Sequence, residues 1–278
     1  MKMKSVINLS DINISDLKEI FLIADDIHNK GAALDGKTVV SFFPSSSIRT
    51  RITFEKGIHL LGGQSVLFPS DTLDKKESLK DVVGYLGNWA DLIITRHNSL
   101  QLLEELEKHS SVPIINAMTS ENHPCEIISD LYSISKLRTN FLNLQYTFVG
   151  KRGNIGNTWF EAARLYGFEF RQCCPDGRDY GIKGATVVHE LDEAMRGSDV
   201  ILTDSLPVDA LSDFHPYQIT LQALRLANDN ALLNPCPPFF CGEEVSEDAI
   251  NSRYFVGYEF KKSLLEVQQA LMLFALAK

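Results

Sequence analysis

"TVVSFFPSSSIRTRITFEKG", residues 38–57, passes from an unbroken apolar run, through a turn crowded with hydroxyls and arginines, into a segment with apolar residues at helical spacing. A continuous apolar run of strand length belongs to a parallel sheet covered on both faces. The stretch therefore reads as strand, tight turn and helix, the repeating unit of a doubly wound α/β fold. Ser45, Ser46, Ser47, Thr50 and Thr53 place five hydroxyls within nine residues, and Arg49 and Arg51 add two guanidinium groups. In open α/β sheets, ligands bind beyond the carboxyl ends of the strands. A helix starting near residues 47–49 directs free N–H groups and its positive dipole end into the same space, a combination suited to a phosphate. A serine-rich helix cap with solvated arginines is the ordinary alternative, and it accounts for one Ser and one Arg better than for this density.

Working outward, the same alternation recurs. "DLIITR" (residues 91–96), "VPIINA" (112–117) and "QYTFVG" (145–150) read as strands, followed by "FEFRQCC" (168–174), "DVILTD" (199–204) and "NALLNP" (230–235). Between them Leu79, Val82, Val83, Leu86 and Trp89 fall on one helical face, as do Ile127, Leu131 and Ile134. The pattern predicts an α/β protein with two doubly wound parallel-sheet domains. Residues 136–143, "KLRTNFLN", are the most polar connection, which puts residues 1–137 in the first domain and 138–261 in the second. Residues 264–277 are apolar nearly all round, and the expectation is that a helix over 262–278 packs back on the first domain.

Composition narrows the function. The 278 residues are 44% hydrophobic, enough for a core, and carry a formal charge of -9. That balance argues against a general binder of nucleic acid or anionic membranes, which present a basic face to phosphates. No apolar run approaches the roughly 20 residues that span a bilayer, and the start turns polar before a signal-peptide core forms, so a cytoplasmic location is expected. The five cysteines are odd in number and lack metal-site spacing. They read as reduced thiols, with no metal and no cofactor expected.

Two further strand ends bear on the ligand. "IITRHN" delivers Arg96, and "ENHPCEIISDL" delivers His123 and, in the first turn of a helix, Glu126. Each has a plain structural explanation, a surface charge in one case and a helix start in the other. Three successive strand ends carrying Ser/Arg/Thr, Arg and His toward one crevice are harder to explain in that way.

With these residues assembled, the chain resembles the aspartate/ornithine carbamoyltransferase family. That family's S-T-R-T-R signature is similar to Ser47-Ile48-Arg49-Thr50-Arg51, its H-P-x-Q to His123-Pro124-Cys125-Glu126, and its G-E-S-x-K-D to Glu77-Ser78-Leu79-Lys80-Asp81. Further on, "GKRGNIGNT" (150–158), Thr203-Asp204 and "NPCPPFFCGEEV" (234–245) resemble elements of the ornithine enzymes. The resemblance implies a carbamoyl-phosphate domain and an amino-acid domain, and transfer of a carbamoyl group to an amine, in arginine metabolism, with release of phosphate. It implies that Ser47, Ile48, Arg49, Thr50, Arg96, His123 and Glu126 bind carbamoyl phosphate, with Arg96, His123 and Thr50 catalytic. Asn154, Asp204 and Cys236 are implied to bind an ornithine-like amine. Lys75 or Lys76, with Ser70 or Thr72, is implied to reach a neighbouring subunit in a trimer or a multiple of trimers. A solvated polar loop serves equally well as a reading of that segment.

The departures are specific. Ile48 stands for a Thr, Glu126 for a Gln, and Pro235 for a His. Leu264 falls near a late Arg, for which Lys261 or Lys262 is a candidate substitute. Glu126 adds negative charge beside an anionic donor, so either a raised pKa or the surrounding arginines are expected to offset it. After Asp204 the chain reads "SLPVDALSD", matching neither the ornithine enzymes' S-M-G loop nor the aspartate enzymes' T-R-V-Q. Aspartate, putrescine or an acylated ornithine are the other acceptors considered. The four changes also suit a degenerate homologue that binds an anion without turnover. A more distant alternative is an NADP-dependent oxidoreductase, because Gly150, Gly153 and Gly156 open a helix after a strand and Arg171 follows at the place of a 2′-phosphate ligand.

Overall fold

A computed structural model describes residues 4–181 and 185–277. The apolar run of the opening stretch is strand β1 (Thr38–Phe43), buried from its second residue onward. It pairs in parallel with β2 (Gln64–Pro69) on one side and β3 (Leu92–Arg96) on the other, and β4 (Ile114–Met118) completes a four-stranded sheet of order β2-β1-β3-β4. A second parallel sheet contains β5 (Gln145–Val149), β6 (Glu169–Cys173), β7 (Thr186–Val188), β8 (Val200–Thr203) and β9 (Leu232–Pro235), in the order β7-β6-β5-β8-β9. Both sheets belong to α/β layers of the expected doubly wound kind. The chain divides into two compact units, Met1–Ile134 with Lys261–Lys278, and Ser135–Phe260.

Two strands were missed by sequence reading, for one physical reason. Strand β2 is an edge strand whose residues are exposed or half-buried throughout, and β7 is a three-residue edge strand, so neither carries the continuous apolar run that marks a central strand. Trp89 also departs from expectation. Helix α3 (Leu79–Leu86), the third after α1 (Ile14–Asp25) and α2 (Arg49–Leu60), buries Val83 but ends before Trp89, which is 70% exposed.

The helices are set by their ends. Asn13 caps α1 by accepting from the backbone N–H of Ser15 and Asp16, Ser78 caps α3 through Asp81, and Ser99 caps α4 (Leu100–His109) through Leu102. Helix α5 (Pro124–Leu137) buries every residue from Pro124 to Ile134. The C-terminal helix (Ser263–Leu276), apolar nearly all round, packs against α1 and α2 in the first unit. Gly57 makes this approach possible, because a Cβ there would stand 3.0 Å from Gln269 Cγ and 3.4 Å from Met272 Cε. No helix among the described residues is long and apolar enough to cross a membrane.

Candidate active site

In the first unit the strand order reverses direction between β1 and β3, the place where open α/β sheets bind ligands. Helix α2 begins at Arg49 with Ile48 as its N-cap, and no side chain caps it, unlike α1, α3 and α4. Its first-turn N–H groups thus lack the side-chain acceptor that α1, α3 and α4 supply. Ile48 itself is 72% exposed and has no side-chain hydroxyl, so its backbone N–H is the only donor it can offer. Ser47 and Thr50 are buried, and both hydroxyls meet the guanidinium of Arg96: Nη1 donates to Ser47 Oγ at 3.2 Å and to Thr50 Oγ1 at 3.4 Å. Arg49 is exposed, and Arg51 pairs with Glu55 one turn along α2 at 2.9 Å. The expectation that hydroxyls and arginines converge after β1 therefore holds for Ser47, Thr50 and Arg96, while Arg51 is engaged elsewhere.

From β4 the chain turns into α5 through His123, which is buried. Burial, the largest influence, drives its pKa from 6.5 down to about 4; Glu126 opposes this, and Arg96 and Lys261 reinforce it. His123 is accordingly neutral at neutral pH, fit to donate or accept a hydrogen bond but not to carry charge. Glu126 is buried beside it. Its Oε1 accepts from Lys261 Nζ at 2.7 Å, and the same ammonium donates to Asp130 Oδ1 at 2.6 Å. Burial raises the Glu126 pKa, but its cationic neighbours, Lys261 foremost, outweigh it and leave the group below its ordinary range.

This corrects the expected offset at Glu126. The carboxyl is not held neutral by a raised pKa, and the main compensating charge is Lys261, with Arg49 contributing less. Lys261, proposed from sequence as a substitute for a late arginine, lies 135 residues from Glu126, a separation at which pairing leaves no local signal. Leu264 is buried in the C-terminal helix. Lys75 and Lys76 are exposed in the segment after β2, whose Asp74 meets His97 at 3.0 Å.

The second unit has its own strand-order reversal, between β5 and β8. Asn154 opens helix α6 (Asn154–Tyr166) directly after β5, and its Oδ1 accepts from the N–H of Ile155 at 2.9 Å. Asp204 follows β8 and its Oδ1 accepts from Ser205 N at 2.9 Å. Cys236 follows β9; its thiol is buried, and its N–H donates to Thr203 O at 2.8 Å, tying the ends of β8 and β9 together. Pro235 is the last residue of β9, in register with Thr203.

Sequence reading missed Glu244. This buried carboxylate accepts from Leu206 N through Oε1 and from Phe240 N through Oε2, both at 2.7 Å. It clasps the loop after Asp204 to the loop after Cys236. The next-to-last residue of "NPCPPFFCGEEV" gave no cue, because both of its partners are backbone groups.

The dinucleotide reading gains no support from the details. A Cβ on Gly156 would stand 2.0 Å from Tyr180 Oη, and one on Gly150 2.9 Å from Phe148, so these glycines admit aromatic side chains. Arg171 donates to Thr147 Oγ1 at 3.0 Å, to Arg196 O at 2.6 Å and to Ser198 Oγ at 3.1 Å, which engages it within the fold. Among the described residues, no cluster of His, Cys, Asp and Glu is arranged to hold a metal ion.

Comparison with known proteins agrees with this architecture. Residues 4–136 match the model of the aspartate/ornithine carbamoyltransferase carbamoyl-P binding domain, and residues 142–275 that of the Asp/Orn binding domain. Ornithine carbamoyltransferase of Syntrophus aciditrophicus is 32% identical over 296 residues, covering 97% of this chain and 98% of that protein. The ornithine carbamoyltransferase of Syntrophotalea carbinolica is 30% identical over 295 residues, covering 97% and 98%. The crystal structure of ornithine carbamoyltransferase from Burkholderia thailandensis superposes with a TM-score of 0.92 at 26% identity, covering 99% of each chain. The fold and the two matched domains define a carbamoyltransferase. The chain belongs to the aspartate/ornithine carbamoyltransferase family.

Proposed function

We propose that this enzyme transfers the carbamoyl group of carbamoyl phosphate to the amine of ornithine or an ornithine-like amino acid, giving a citrulline-like ureido product and phosphate. The observation that carries the donor half is the Arg96 guanidinium bonded to Ser47 and Thr50 beside an uncapped helix start. Ser47, Arg49, Thr50 and the backbone N–H of Ile48 are assigned to the phosphate. Arg96, Thr50 and neutral His123 are assigned to the carbonyl oxygen, where negative charge grows as the amine attacks. A fixed donor that meets developing charge contributes roughly 3–4 kcal/mol, so these groups act on turnover more than on donor binding. Glu126 is assigned as acceptor for an N–H of the carbamoyl group.

On the acceptor side, Asn154 and Asp204 are assigned to the α-amino and α-carboxylate end of the amino acid, and Cys236 to the neighbourhood of the reacting nitrogen. The amine must arrive neutral, and holding both substrates at reacting distance removes up to about 7–11 kcal/mol of barrier. Donor binding is assigned to residues 1–137 with 262–278, of which 1–3 and 278 lie outside the described residues, and acceptor binding to 138–261. Relatives at 30% and 32% identity named for ornithine support that acceptor over aspartate or putrescine. A trimer, with Lys75 or Lys76 reaching a neighbouring subunit, is part of the same reading. It predicts a solution mass of three times, or a multiple of three times, the 31.1 kDa chain.

The test is colorimetric measurement of ureido product with carbamoyl phosphate and ornithine, aspartate, putrescine, lysine and acylated ornithines. Ornithine as the best substrate is the expected outcome. Another amine as the best substrate reassigns the acceptor, and absence of product with every amine refutes the transferase reading.

A further inference from the structure

Glu126 and Asp130 lie one turn apart on α5, both buried, and both carboxylates meet the one ammonium of Lys261, at 2.7 and 2.6 Å. Lys261 is itself largely covered, with 21% of its side chain exposed. Two buried carboxylates around a single cation carry a desolvation cost that their pairing need not repay, so the cluster is weak evidence of a contribution to stability. The arrangement is unsymmetrical in a useful way. Glu126 Oε1 is taken by Lys261, while Oε2 has no hydrogen-bond donor among the described residues. His123, Arg49, Arg96 and Lys261 are the charged or titratable groups that bear on this corner.

We propose that Lys261 is a positioning residue of the donor site: bridging to Asp130, it anchors the Glu126 carboxylate by one oxygen so that the other stays available to an N–H of the bound donor. The inference rests on the carbamoyl-phosphate reading above. An unanchored Glu126 would either repel the donor's phosphate or turn away from it, and the Asp130 contact fixes where the ammonium stands. Lys261 thus acts through Glu126, without touching the donor.

The test is calorimetric binding of (carbamoylmethyl)phosphonate, an unreactive donor analogue, to wild type, Lys261→Met, Glu126→Gln/Asp130→Asn and the triple variant. Lys261→Met is expected to weaken binding about tenfold, the loss of one charge-assisted hydrogen bond. The same change made in the Glu126→Gln/Asp130→Asn background is expected to cost less than about twofold, because amides need no counter-charge. Equal weakening in both backgrounds would mean that Lys261 meets the ligand directly, and no weakening in either would make it a tether only; both overturn the proposal. Should Lys261→Met not fold, Lys261→Gln retains an uncharged NH₂ group for the two carboxylates and is read by the same comparison. Wild type that binds the phosphonate but transfers to no amine overturns the transferase reading and leaves this one standing. Wild type that does not bind the phosphonate overturns both.

Discussion

The candidate sites of the first and second units are built by different means. In the first, side chains do the work: Arg96 reaches Ser47 and Thr50, and Lys261 reaches Glu126 and Asp130. In the second, the backbone carries much of the arrangement, since Cys236 N meets Thr203 O and Glu244 gathers the N–H groups of Leu206 and Phe240. A phosphate is recognised by charge and hydroxyls, which a sequence displays openly. The backbone of a loop is shaped by hydrogen bonds that any residue type can make, which a sequence conceals.

The sharpest way to break the contrast is Arg96→Ala. If donor-side chemistry resides in that guanidinium, kcat falls about 10²- to 10³-fold with a smaller change in donor binding, as for loss of a preorganised donor. Steady-state kinetics that show the loss mainly in KM would move Arg96 from the carbonyl oxygen to the phosphate.

Next in size is a pH effect confined to the first unit. His123 is held at about 4 against 6.5 when unfolded, so between those values the unfolded chain takes up a proton that the folded one refuses. Stability from this group is present in full above about pH 6.5 and falls as pH drops toward 4, by about 3 kcal/mol in all. Urea unfolding at pH 7 and pH 4.5 measures it, and His123→Gln should flatten that part of the difference. An unaltered pH difference in the variant would assign it to other groups.

On the second unit, Glu244→Gln tests whether loop shape sets acceptor recognition. The two carboxylate oxygens each accept one backbone N–H, and an amide NH₂ cannot accept the second. One loop is released, and KM for the amine should rise about tenfold, the worth of one hydrogen bond to a charged group. Phosphonate binding should stay as in wild type. Equal losses for amine and phosphonate would contradict independent construction of the two sites.

The smallest expected effect is that of Glu126→Gln. The amide oxygen accepts the same N–H, and Lys261 keeps Asp130, so transfer should stay within about threefold of wild type by initial rates. Complete loss would give the carboxylate a role that no neutral acceptor fills.

Much of this was legible in the sequence where apolar runs are central to a sheet. Strands β1, β3, β5 and β8 are buried along nearly their whole length and announced themselves as such. Edge strand β2, with Gln64, Ser65 and Pro69 in its six residues, did not. The convergence of Ser47, Thr50 and Arg96 was anticipated because their types cluster at strand ends. The pairing of Lys261 with Glu126 was not, because nothing local links residues 135 apart, and Glu244 stayed hidden because it binds backbone. Trp89 shows the opposite error, in which helical spacing continued past the point where the helix stops.

The first unit is closed by residues that follow the second in the chain. On a ribosome adding roughly 5–20 residues per second, residues 135–260 separate the two parts of that unit by on the order of ten seconds. Throughout that interval the faces of α1 and α2 that the C-terminal helix covers are bare, and Glu126 and Asp130 wait for their cation. Until that helix emerges the nascent first unit keeps apolar helix faces uncovered, the kind of surface that makes folding intermediates prone to aggregate, and the Glu126–Asp130 corner lacks its counter-charge.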